Sequence, residues 1–188
     1  MITMTGRTTM NIWHDFSPER ITPERFTAVI EIEKGGKMKY ELDKKTGMLI
    51  LDRVLYTSTH YPASYGFIPR TYAEDDDPLD VLVLCSEPIR PMTLVEVYPI
   101  GAINMIDDGS TDTKIIAIPF GDPNYNSYHD IKELPVHLFE EMQHFFKVYK
   151  TLEGKKTAKL NRVGRDKAVR AVTEALDRYE KEFCRGNS

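Results

Sequence analysis

Glu74-Asp75-Asp76-Asp77-Pro78-Leu79-Asp80 packs five carboxylates into seven residues with no base among them. Carboxylates held this close repel one another unless a cation neutralises them. Hard oxygen donors without Cys or His favour Mg²⁺, Mn²⁺ or Ca²⁺. A cluster of this kind can also be a solvated acidic turn. Two details favour a site. Asp80 leads straight into the apolar run Val81-Leu82-Val83-Leu84-Cys85 and so belongs at a strand mouth. Pro78 fixes one backbone dihedral and stiffens the turn. An EF-hand loop is excluded, because counting from Asp75 its fifth and sixth positions would be Leu79 and Asp80.

A second acidic group, Asp107-Asp108-Gly109-Ser110-Thr111-Asp112, joins two apolar segments and fits a hairpin loop. Asp112 precedes Thr113-Lys114 at what looks like another strand entrance, so two acidic groups could face one cavity. Cations and phenols lie elsewhere along the chain. Lys39 and Glu41 flank Tyr40 and share a strand face, as do Val29 and Glu31. Arg53 ends a strand, Tyr61 and Tyr65 flank a Pro62–Gly66 turn, and Tyr149-Lys150 closes a helix. Each could be an ordinary surface cation or core aromatic. Together with a carboxylate metal site they are the parts needed to hold a phosphate: metals bridge its oxygens, Lys and Arg neutralise charge, and Tyr donates hydrogen bonds.

Other motifs fail. Gly35-Gly36-Lys37 lacks the spacing of a P-loop, and there is no H-E-x-x-H. His137 and His144 suit surface or packing roles, and Cys85 suits a buried small hydrophobe. With 25 Lys+Arg against 29 Asp+Glu, the formal charge of −4 argues against a nucleic-acid binder. Cys85 and Cys184 are the two cysteines, too few and too far apart for a disulfide framework. No apolar run approaches the ~20 residues of a membrane span, and residues 1–15 lack a signal-peptide core. A cytoplasmic protein with no membrane partner is expected. Met10 is a candidate start, with Met1–Thr9 an upstream extension.

These residues need elements to position them. Residues 26–120 form a series of short β-branched segments: Phe26–Ile32, Lys37–Leu42, Met48–Val54, Asp80–Cys85, Leu94–Val97, Ile100–Met105 and Lys114–Pro119, punctuated by Gly and Pro. That layout suggests a closed barrel or a sandwich. Leu138, Met142, Phe145, Phe146 and Tyr149 then fall at helical spacing, with Gly154 as the stop. Ala168, Val169, Val172, Leu176, Tyr179 and Phe183 mark a second helix. The fold class is α+β and mainly β, a β body followed by two C-terminal helices. At 188 residues a single domain is expected over 1–188, with 1–10 a flexible N-terminal extension.

Asp75-Asp76-Asp77-Pro78-Leu79-Asp80-Val81 fits the signature D-x-D-P-x-D-V. Around it stand, in order, Lys39-Tyr40-Glu41-Leu42-Asp43, Asp52-Arg53, Tyr61-Pro62 through Tyr65-Gly66, Asp107 to Asp112-Thr113-Lys114, and His144-Phe145-Phe146 through Tyr149-Lys150. With these segments the chain resembles the soluble family I inorganic pyrophosphatases from about Phe26 to Lys150. Its wording is nearest the prokaryotic, hexameric members. The resemblance implies a five-stranded, OB-like closed β-barrel flanked by the two helices. It implies Mg²⁺-dependent hydrolysis of pyrophosphate to two phosphates, with several ions per site, Mn²⁺ as a substitute, and a hexameric homo-oligomer.

Carried over position by position, Asp75, Asp80 and Asp112 would bind metal, joined by Asp107 when substrate is present. Asp77 would be the general base, supported by Tyr65 and Glu31. Lys39, Arg53, Tyr65, Lys114, Tyr149 and Lys150 would hold substrate. Glu41 would stand behind the metals with Glu31, or reach them through water, and Tyr61 would stand behind the residues that touch metal and substrate. Two departures stand out. Asp76 replaces a Gly seen in some members, and residues 155–164 lack the tryptophans common there. No role is assigned to 124–130 or 155–164. Rival readings are an inactive scaffold on the same fold, an OB-type nucleic-acid module, and a hydrolase of organic phosphates.

Overall fold

The computed structural model describes residues 10–107, 110–155 and 160–184. The extension expected over 1–10 therefore lies, Met10 aside, outside the described residues. Nine strands and two helices follow in order: β1 (Ile21–Thr22), β2 (Arg25–Ile32), β3 (Met38–Leu42), β4 (Leu49–Val54), β5 (Ser64–Phe67), β6 (Asp80–Val83), β7 (Leu94–Asp107), β8 (Ser110–Pro119), α1 (Val136–Val148), β9 (Leu160–Gly164) and α2 (Arg165–Tyr179). The mainly β fold with two C-terminal helices is as the sequence suggested, except that β9, a strand of the main sheet, lies between the helices.

The main sheet runs β1-β2-β5-β6-β8-β7-β9, and β2 also pairs with β7. β6 and β8 run parallel, with Asp80 opposite Lys114; the other paired strands run antiparallel. That parallel pair brings the start of β6 beside the acidic end of β8. β3 and β4 form a separate hairpin. Its turn carries Gly47 at φ +71°, and the turn before β3 carries Gly35 at φ +84°, conformations that glycine adopts without steric penalty.

Side chains alternate between two cores. Leu82, Leu84, Ile116 and Ile118 join Ile32, Ile100 and Ile103 beneath Phe139, Met142, Phe145 and Phe146 of α1. Val81, Val83, Ile115 and Ala117 join Phe26, Ile30 and Ile68 beneath Ala168, Val172 and Ala175 of α2. Successive strand residues point to opposite faces, so a strand covered on both sides must be apolar throughout. The unbroken run Val81–Leu84 is the result.

The structure corrects four local expectations. The supposed Pro62–Gly66 turn contains β5, a fully buried strand between β2 and β6. Gly66 is required there, because a Cβ would lie 1.9 Å from the Val29 carbonyl oxygen. Leu94–Val97 and Ile100–Met105 are one strand, whose register shifts between Pro99 and Gly101. Proline cannot donate to the ladder, and the irregularity accommodates it. Asp112 lies inside β8, two residues past its start. Cys85 falls beyond β6 and is half-buried, not a core residue.

Candidate active site

A cleft of about 390 Å³ opens between the β3–β4 hairpin, the start of β6, β8 and the end of α1. Glu31, Lys39, Glu41, Tyr65, Asp75, Asp77, Asp80, Asp112, Lys114, Tyr149 and Lys150 all line it. The sequence had singled out every one of them. Arg53 and Tyr61 are not among its lining residues, and the Asp107 side chain lies outside the described residues. Tyr61 instead packs behind Tyr65, ring centroids 5.4 Å apart.

Lys114 is the centre of the arrangement. Its ammonium donates to Asp80 Oδ2 at 2.6 Å, Asp112 Oδ1 at 3.0 Å and the Tyr65 hydroxyl at 3.0 Å. Those are the three donors an ammonium owns. Burial pulls the Lys114 pKa down, but Asp80, Tyr65 and Asp112 outweigh it and hold the proton well above the ordinary lysine range. Burial and the Asp80 charge push the Tyr65 hydroxyl far up, so it stays protonated.

The acidic loop owes its shape to local bonds. The Ala73 N–H donates to the Asp77 carbonyl at 2.8 Å, and the Asp77 N–H reaches Asp75 Oδ1 at 3.3 Å. Asp76 has φ +65°. Aspartate tolerates this left-handed conformation better than most residues. Its Oδ1 accepts from the Tyr72 hydroxyl at 2.6 Å, and that bond pushes the Tyr72 pKa up to about 12. Burial raises the Asp75 pKa, and Asp80, Asp112 and Asp77 add to it. Glu31 is 6% exposed at the floor of the cleft. Burial and Asp80 raise its pKa well above the carboxylate range.

A ring of ion pairs borders the cleft. Lys39 bonds both Glu41 and Asp52, and Asp52 also bonds Arg53. Burial would raise the Asp52 pKa, yet the Lys39 and Arg53 charges bring it below the usual value. Arg53 Nε donates to Glu153 Oε1 at 3.0 Å, just beyond α1. Tyr149 stacks on Phe145 at the end of that helix, centroids 5.1 Å apart. Lys150 Nζ lies 5.4 Å from the Tyr149 ring centroid.

Four residues of this region were not assigned a role from sequence: Lys44, Asp52, Glu153 and Tyr40. Lys44 sits in a turn, where a lysine suggests solvent. Glu153 meets Arg53 across 100 residues of chain. Asp52 was quoted only within the Asp52-Arg53 pair. Tyr40 neighbours Lys39 and also lines the cleft.

Among the described residues, no three carboxylate, imidazole or thiol groups converge closely enough to hold a metal as they stand. The Lys114 ammonium holds the space between Asp80 and Asp112. Even so, the donor set fits a hard divalent cation. Asp75, Asp77, Asp80 and Asp112 offer only oxygens to such an ion.

A cleft in which carboxylates, lysines and phenols interleave suits a hydrolase of small, highly charged phosphate anions. The comparisons agree. The inorganic pyrophosphatase family model matches residues 28–180. A soluble inorganic pyrophosphatase of Arabidopsis thaliana is 47% identical over 167 residues, 89% of this chain and 79% of its own. One from Chlamydomonas reinhardtii is 44% identical, covering 91% of this chain and 89% of its own. The crystal structure of inorganic pyrophosphatase from Thermus thermophilus aligns with a TM-score of 0.86 at 37% identity, over 91% of this chain and 99% of that one. The chain belongs to the soluble family I inorganic pyrophosphatases.

Proposed function

We propose that this enzyme hydrolyses inorganic pyrophosphate to two orthophosphates, using Mg²⁺ with Mn²⁺ as a possible substitute. One observation carries the reading: Asp75, Asp77, Asp80 and Asp112 share a single cleft with Lys39, Lys114, Tyr149 and Lys150. Asp75, Asp80 and Asp112 would hold the metal ions, and Asp107 would join them when substrate is bound. When bound, the metals cancel charge on the pyrophosphate and lower the pKa of an attacking water towards ~7.

This chain's residues do the rest. Asp77 accepts a proton from the water as its oxygen attacks one phosphorus. The bridging P–O bond breaks, and its electron pair leaves with the second phosphate. Lys39, Tyr149 and Lys150 bind phosphate oxygens from the cleft wall, and Arg53 does so from its edge. Lys114 holds the protonated Tyr65 hydroxyl in place, and that hydroxyl orients the water and substrate. Glu31 at the floor and Glu41 at the hairpin complete the carboxylate set behind the metals. Strand ends and a Pro-stiffened loop hold these groups, as in-line attack requires.

The pairing of β2 with both β5 and β7 supports an OB-like closed barrel of β2, β5, β6, β8 and β7. We read the chain as one domain with a hexameric assembly, a size that light scattering will test. The two thiols, Cys85 and Cys184, are unpaired, as suits the cytoplasm. Among the described residues no helix is long and apolar enough to cross a membrane.

The direct test is phosphate release from pyrophosphate with Mg²⁺ and again after chelation. Release that vanishes with chelation is expected; release from a phosphomonoester instead would point to an organic-phosphate hydrolase. Asp77→Asn should lower kcat by at least about a hundred-fold with an unchanged circular dichroism spectrum. Wild-type turnover in that variant would remove Asp77 as the base.

A further inference from the structure

Asp77, the proposed base, hangs from a loop with its side chain 54% exposed. A carboxylate so placed samples many rotamers, whereas proton abstraction needs its oxygen held to a fraction of an ångström. Something must restrain it, and the structure supplies a candidate from outside the loop. Lys44, in the turn between β3 and β4, reaches across the cleft. Its Nζ lies 2.5 Å from Asp77 Oδ1 and donates to the Asp76 carbonyl at 2.9 Å. One ammonium thus ties both the carboxylate and the peptide just before it.

Lys44 is held in turn. Asn11 Nδ2 donates to the Lys44 carbonyl at 2.8 Å, so the N-terminal segment grips the turn. At Gly47 the same segment passes so near that a Cβ would lie 3.2 Å from the Met10 carbonyl oxygen. The turn closes on itself through Gly47 N–H to the Asp43 carbonyl at 2.8 Å and Thr46 Oγ1 to Asp43 Oδ2 at 2.6 Å. The Lys44 ammonium also lies 5.7 Å from the buried Trp13 ring centroid. An exposed ion pair of this kind adds little stability. Its consequence is positional.

We propose that Lys44 is a positioning residue for the reaction: by binding Asp77 Oδ1 and the Asp76 carbonyl it fixes the Asp77 carboxylate, leaving Oδ2 to take the proton. This rests on the reading of Asp77 as base. Lys44 also lines the cleft, so direct binding of a phosphate oxygen is the competing role, and the two separate in steady-state kinetics.

The test compares Lys44→Met, Lys44→Arg and Asn11→Ala with the wild type, and repeats Lys44→Met in an Asp77→Asn background, all with pyrophosphate and saturating Mg²⁺. Positioning through Asp77 predicts that Lys44→Met lowers kcat about ten-fold with KM within about two-fold. Lys44→Arg should recover most of that loss, because a cation is restored. Asn11→Ala should give a smaller fall in kcat. In the Asp77→Asn background Lys44→Met should cost almost nothing further, since interacting residues are not additive. An unchanged kcat in Lys44→Met, a rise in KM alone, or an equal loss in both backgrounds would each overturn the proposal. Wild-type turnover in Asp77→Asn alone would instead defeat the base assignment, and the double-variant comparison reports the two failures separately.

Discussion

A buried charge survives only when every hydrogen-bonding position is used, and Lys114 meets that condition. Its side chain is 4% exposed, and Asp80, Asp112 and Tyr65 take its three protons. Its folded pKa is raised, so the stability it adds is complete below the unfolded value of ~10.4 and is lost only as pH rises through the folded one. Lys114→Met leaves two half-buried carboxylates facing each other. We expect it to destabilise the chelated protein by about 2 kcal/mol, with a smaller gap in Mg²⁺, as read from urea melts in both conditions. Equal losses in both would show that no cation replaces the ammonium. Asp75, Asp80 and Lys114 were singled out from the sequence because they stand in or near acidic groups at strand entrances and match the family segments, although each alone also fits a solvated surface residue. Lys44 and Glu153 were not, because each acts on a partner that only the tertiary fold brings near.

Among the elements, α2 depends on a residue that precedes it by a helix and a strand, α1 and β9. Its preceding residue is Gly164, which has no side chain with which to cap. Asp130 does so from a distance, accepting the Arg165 N–H at 3.0 Å and the Lys132 N–H at 2.9 Å. Burial opposes ionisation of Asp130, but those N–H groups and the Lys132 and Arg162 charges outweigh it and lower its pKa. A lowered carboxyl stabilises above its unfolded pKa of ~3.9 and loses that stability as pH falls through the folded value. Asp130→Ala should therefore cost about 1 kcal/mol at pH 7. That cost should shrink below pH ~4, as chemical denaturation across pH will record. A cost constant with pH would mean that the carboxylate charge plays no part.

The same scale shows which elements composition could reveal. β2, β6 and β8 are β-branched runs and stood out. β5 did not, because Ser64-Tyr65-Gly66-Phe67 lies between Pro62 and Pro69 and its glycine answers to a neighbouring strand, not to local propensity. β9, with Asn161 and Arg162 exposed, carries too little apolar character to announce itself.

Across the whole molecule, the N-terminal segment and the end of α2 close on one another. Trp13, the single tryptophan, donates Nε1–H to the Thr71 carbonyl at 2.9 Å and stacks on His14, with Phe183 edge-on at 5.3 Å. His14 Nδ1 lies 2.8 Å from the Tyr179 hydroxyl. Trp13 fluorescence therefore reports the joint between the two ends, while far-UV circular dichroism reports the strands and helices. If the chain is one domain, both probes should give the same urea midpoint. An earlier fluorescence transition would show that the ends detach before the sheet unfolds. The two-core layout was partly visible in the sequence as apolar runs, but the meeting of residues 13, 72, 179 and 183 was not, because aromatic residues far apart carry no mark of their pairing.

The parallel pairing of β6 with β8 makes the molecule lopsided in a way an engineer can use. Asp80 and Lys114 stand opposite each other at one end of that pair, while the segment 87–91, exposed at Glu87, Pro88 and Arg90, follows the other end of β6. A reporter peptide or fused domain grafted into 87–91 would sit away from the chemistry, since exposed loops accept insertions where strand ends holding a site do not. The chain thus offers a tethering point, a way to immobilise the catalyst or couple it to a pyrophosphate-releasing partner enzyme, without redesigning the candidate cleft.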